Sequence, residues 1–87
     1  TKQKTAEQIE KSKEMERNDL AEVERDKTHN FVEKSGAKKD IRDFYNVLRG
    51  NIIAGKKVDL VKSRREHFVG WRRIRFIKSW KARRFRA

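Results

Sequence analysis

Residues 37–49, AKKDIRDFYNVLR, decide the fold. Ala37, Ile41, Phe44, Tyr45 and Leu48 recur at steps of three and four, so a helix here has one apolar face and one charged face. That stripe is expected to be core. Ser35 and Gly36 punctuate the chain before it, and Gly50 stands where a glycine just past the C-cap would close it. The helix is therefore expected to begin near Ala37 and end at Arg49.

Downstream, Ile52, Ile53, Ala54, Gly55 and Lys56 form a short apolar stretch ending in a turn. From Lys57 a third periodic segment carries Val58, Leu60, Val61, Phe68 and Trp71 on one side. Arg64 and Arg65 share that sector, so their stems would have to snorkel along it. Upstream, residues 5–33 are rich in helix formers and read as one long charged helix. Its Ala6, Ile9, Lys13, Glu16, Leu20, Val23, Lys27, Asn30 repeat is only half apolar, which predicts a solvated single helix rather than a coiled-coil strand. Pairs such as Glu7 with Lys11, Glu10 with Lys13 and Glu22 with Arg25 would support it modestly. The absence of proline favours long helices throughout. The expected architecture is mainly α: a charged helix over 1–35, a small helical pair over 36–71 and a basic, aromatic arm over 72–87.

With 87 residues, 34% hydrophobic and 44% charged, the chain has little material for a core, and part of it is expected to take its order from a partner. It has no cysteine, hence no disulfide or cysteine-held metal. No apolar run approaches the roughly 20 residues that span a bilayer, and the start lacks the layout of a secretory signal. A soluble, intracellular protein is expected.

The net charge of +12 is unevenly spread. Residues 1–33 hold seven Lys/Arg against nine Asp/Glu, residues 34–59 seven against three, and residues 60–87 eleven against one. Within that last stretch Arg64, Arg65, Arg72, Arg73, Arg75, Lys78, Lys81, Arg83, Arg84 and Arg86 alternate with Phe68, Trp71, Phe76, Trp80 and Phe85. Guanidinium forks make bidentate contacts to phosphate. Aromatic rings between them stack on unpaired bases. The ten cations are accordingly expected to bind the phosphates of RNA or DNA, RNA being favoured, with Trp71 and Trp80 as stacking groups. From residue 71 onward the apolar and basic residues point to every side of a helical wheel, a pattern suited to a tail threaded into a polyanionic environment. Small proteins with a helical body and such an arm are typical of ribonucleoprotein particles, so a basic accessory subunit of a larger assembly is the expected class.

An acidic protein segment would use the same arginines. An anionic membrane surface prefers a clearer amphipathic face. Residues 37–71 offer two helices with a glycine-containing connection, but it is longer than a helix-turn-helix allows. No enzyme is expected. His29 and His67 are the only histidines, and no paired-carboxylate site or phosphate-loop glycine pattern accompanies them. Adjacent residues diverge on a helix, so Glu66 and His67 cannot act as a dyad. Neither a metal nor another cofactor is expected.

The run Ser63-Arg64-Arg65-Glu66-His67-Phe68, followed by Arg73-Ile74-Arg75-Phe76-Ile77, resembles the cytosolic N-terminal domain of the Sec62-type translocation proteins. Upstream, Ile41, Phe44 and Tyr45 are similar to that domain's first helix, so the likeness covers residues 41–77. It implies a basic docking domain of an endoplasmic-reticulum translocation component that binds an acidic segment of its partner. The charged N-terminal helix is not part of that pattern.

Overall fold

The computed structural model describes residues 2–27 and 29–70. They form three helices, α1 over Lys2–Arg25, α2 over Phe31–Ile53 and α3 over Leu60–Gly70, with no strand among the described residues. The fold is mainly α, as expected, with a helical pair present. The expected arm over 72–87 lies outside the described residues.

α1 stops at Arg25 rather than running on to residue 33. The buried Asp26 carboxylate turns the chain: it accepts from the His29 backbone N–H at 3.2 Å and contacts His29 Nδ1 at 2.8 Å. Asn30 then caps α2. Its side chain accepts from the Glu33 N–H at 2.8 Å, while Glu33 accepts from the Asn30 N–H at 3.1 Å, a reciprocal capping box. This cap places the start of α2 six residues before Ala37, and the helix passes through Ser35 and Gly36 without interruption.

The other end of α2 also extends beyond the expected boundary. Gly50 is an exposed position inside the helix, and the closing glycine is Gly55, at φ 82°. The Gly55 N–H donates to the Ile52 carbonyl at 3.1 Å and the Lys56 N–H to the Asn51 carbonyl at 3.0 Å. These are the two crossed bonds of a Schellman motif, which needs the left-handed conformation that glycine adopts without strain. Asp59 opens α3, its side chain accepting from the Lys62 N–H at 3.1 Å.

α1 and α2 pack as an antiparallel hairpin. Glu24 pairs with Lys38 near the turn, Glu16 with Arg49 at 2.7 Å further along, and Gln8 reaches the Val58 carbonyl at 3.3 Å beyond the far end of α2. The core joins Val23 of α1, Ala37, Ile41, Tyr45, Leu48 and Ile52 of α2, and Leu60 and Phe68 of α3. Met15 and Leu20 pack at its edge. α1 is therefore not a solvated single helix: its inward seam is Ile9, Ser12, Glu16, Asp19, Val23 and Asp26, in which Ser12, Asp19 and Asp26 are buried. Ser12 answers its own burial by donating to the Ile9 carbonyl at 2.7 Å.

The two glycines at the end of α2 should respond oppositely to alanine. A Cβ meets nothing within 4 Å at either position. Gly50→Ala should stabilise the fold by about 0.5–1 kcal/mol through helix propensity. Gly55→Ala should cost about 1–2 kcal/mol through its positive φ. Denaturant midpoints of the two variants check both signs.

Candidate nucleic-acid interface

α3 carries the first of the expected binding residues, and its attachment to the hairpin determines which of them face outward. The attachment is polar as well as apolar. Asp19 of α1, a carboxylate with 5% side-chain exposure, accepts from the Tyr45 hydroxyl at 2.6 Å. The same carboxylate receives the Arg64 guanidinium through Nη2 at 2.8 Å and Nε at 3.0 Å. Arg64 also lies 4.8 Å from the centre of the Phe68 ring. One side chain from each helix thus meets at one buried point.

The electrostatics of this point follow from its burial. Burial opposes the charge on Arg64, but the hydrogen bond and charge of Asp19 outweigh it and hold the guanidinium protonated above its ordinary range. Burial pushes the Tyr45 hydroxyl far above its usual 10.0, with the Asp19 hydrogen bond and charge adding to the effect. Tyr45 therefore remains a donor throughout the neutral range.

A second polar tie lies nearer the C-terminal end of α3. His67 Nε2 is 2.6 Å from Asp40 Oδ2, and its ring stacks on Phe44 at 4.2 Å between centroids and 15° between planes. Both histidines thus sit half-buried against an aspartate. Among the described residues no group of three or more His, Cys, Asp or Glu side chains is arranged to hold a metal ion. No helix there is long and apolar enough to cross a membrane.

Beside the Arg64 network three adjoining open depressions, all lined in part by Lys11, make up a groove between α1 and α3. One, about 540 Å³, is lined by Gln8, Lys11, Lys57, Val58, Asp59, Leu60 and Val61. A second includes Lys4, Ile52 and Lys56 near the α2–α3 turn, and a third includes Met15, Asn18, Arg64 and Arg65 near the centre of α3. Lys11, Lys56, Lys57 and Arg65 are exposed on its rim. Glu10 and Glu14 lie on the flank of α1 that borders a separate depression with Lys11 and Arg17.

The expected site residues fall into three groups. The Arg64 guanidinium lies on Asp19, while Arg65 stands exposed on the rim of the groove. Arg72, Arg73, Arg75, Lys78, Lys81, Arg83, Arg84 and Arg86, with Trp71 and Trp80, lie outside the described residues. Lys11, Lys56 and Lys57 escape a sequence reading because each sits in a different or unremarkable charge context along the chain. Only the antiparallel hairpin and the Gly55 turn bring them to one rim.

Two measurements test the Asp19 network. Asp19→Asn leaves Arg64 without its counter-charge, and since that arginine is 22% exposed the loss should be about 2 kcal/mol, below the range for a fully buried pair. Tyr45, the sole tyrosine, has a folded-state pKa raised above its ordinary 10.0. Its contribution to stability is complete below about pH 10 and is lost as pH rises further, because only the unfolded chain can then ionise it. Tyrosinate absorbance should appear together with loss of helix on alkaline titration. Absorbance rising at pH 10 while the helices remain intact would remove the network from this account.

Comparison of the chain with protein-family models, with curated proteins and with solved structures finds no match.

Proposed function

We propose that this chain is a small basic accessory subunit of a larger assembly, holding RNA phosphates with the arginines and lysines of residues 72–86. The observation that carries the reading is the charge of residues 71–87, eight Lys/Arg and no Asp/Glu, interleaved with Trp71, Phe76, Trp80 and Phe85. Residues 1–70, by contrast, hold seventeen basic side chains against thirteen acidic ones. Much of that acidity is internally matched: Asp19 with Arg64, Glu16 with Arg49, Glu24 with Lys38 and Asp40 with His67. A body whose charges are largely paired, joined to a segment whose charges have no acidic counterpart in their own sequence, suits a platform that delivers a polycation to an external polyanion.

The arginine-rich composition fits phosphate, and the large aromatics fit stacking on unpaired bases, which favours single-stranded RNA over duplex DNA. Arg65, an exposed cation of α3, adds to the phosphate-binding set, and Arg64 fixes α3 on the hairpin. The docking of an acidic protein segment, implied by the resemblance to Sec62-type proteins, relies on the same arginines and is the rival outcome of the same experiment.

Fluorescence titration of Trp71 and Trp80 with single-stranded RNA, duplex DNA and an acidic peptide over a range of salt separates these readings. Quenching by RNA should be strongest and should weaken steeply with salt. Replacing Arg72, Arg73 and Arg75 by alanine should lower the slope of log K against log salt by about 2, at roughly 0.7 per phosphate contact on a single strand. Saturation by the acidic peptide alone would overturn the RNA reading.

A further inference from the structure

We propose that the groove between α1 and α3 is a second phosphate-binding track, holding the sugar-phosphate backbone of the same single strand that the arm engages. The inference rests on the RNA reading of residues 72–86 and extends it to the helical body.

The first argument is charge. Lys11, Lys56, Lys57 and Arg65 stand exposed around one open channel. Two of the carboxylates that could neutralise them are already engaged. Asp19 is taken by Tyr45 and Arg64, and Asp59 accepts from the first turn of α3. Glu7 is the remaining acid of the lining. Asp59 keeps its charge, so four rim cations face two carboxylates, Glu7 and Asp59, and the rim keeps a positive excess.

The second argument is the kind of cation and the shape of the floor. Lysine is a point charge on a flexible stem, which tolerates phosphates at varied positions and reads no sequence. Between the rims Val58 and Val61, the latter 51% exposed, give an apolar strip beside Gln8 and Asp59. Such a strip accommodates the sugar face of a flexible strand while the phosphates meet the cations. The groove is open along its length, so a strand need not be threaded through a closed hole.

The third argument is placement. The Gly55 turn sets Lys56 and Lys57 before the N-terminal end of α3, and Arg65 lies near the middle of the same helix. Six residues of helix span about 9 Å, so these cations line one stretch of the groove at a spacing that adjacent phosphates can follow. In sequence the basic run from Arg72 begins seven residues after Arg65.

The test uses the full chain and a single-stranded homopolymeric RNA oligonucleotide, with the salt slope of binding and the melting temperature as readouts. Lys11→Gln, Lys56→Gln and Lys57→Gln are combined in one variant, and Arg72→Ala, Arg73→Ala and Arg75→Ala in another. The groove variant should keep its melting temperature and lose about 2 from the slope, as three single-strand contacts imply. A groove variant with the parental slope, beside an arm variant with a reduced one, would overturn the groove and leave the arm reading intact. If neither variant changes the slope, both readings fall. A groove variant that keeps its RNA slope but no longer binds an acidic peptide would assign the groove to a protein partner and overturn the inference.

Discussion

A carboxylate cannot be buried in a small protein unless its charge and lone pairs are answered, and Asp19 is answered from two other helices at once. Tyr45 comes from α2 and Arg64 from α3, so the cost of removing Asp19 from water is offset only when all three helices are in register. An apolar contact tolerates sliding by a fraction of a turn. A bidentate guanidinium with a short hydroxyl bond does not. With eight buried hydrophobic residues among those described, the core offers little shape selection of its own, and the polar junction supplies directional contacts.

The same junction explains what was readable in the sequence. The stripe Ala37, Ile41, Tyr45, Leu48 and Ile52 is apolar at each step, so α2 and its core face stand out. α1 hides its face because four of its six inward positions are polar. A hydrophobic criterion selects Lys13, Leu20 and Lys27 as seam positions, whereas the seam runs one residue earlier through Ser12, Asp19 and Asp26. Each of these has a hydrogen-bond partner in its burial, local for Ser12 and Asp26 but drawn from two other helices for Asp19, and partners of that kind are not visible along a chain. The helix ends show a different failure. Asn30 and Glu33 stand three apart, a readable capping signature, but the continuous charge pattern around them masks it. Gly50 and Gly55 are both plausible terminators by residue type, and only the Schellman bonds choose between them.

The candidate site was legible to a comparable extent. The excess positive charge of residues 60–87 and its aromatic interleaving are properties of composition, visible without a fold. What composition misses is that neighbouring arginines can have opposite duties. Arg64 and Arg65 are adjacent and look alike, yet one turns inward to Asp19 and the other outward to the groove, because consecutive positions on a helix differ by about 100°. The lysines of the rim belong to α1 and to the loop after α2, and their convergence is a property of the hairpin.

The span of the Asp19 contacts along the chain also orders the assembly of the molecule in time. The α1–α2 hairpin closes through a short turn, and Tyr45 lies 26 residues from Asp19, whereas Arg64 lies 45 residues away. Loop-closure entropy grows only slowly with length, so that difference costs about 0.5 kcal/mol. Detaching α3 removes the cation that answers Asp19 and, with it, the burial of Leu60 and Phe68. A half-open form therefore loses a charge partner and apolar contact together, which ties the third helix to the other two despite its eleven residues.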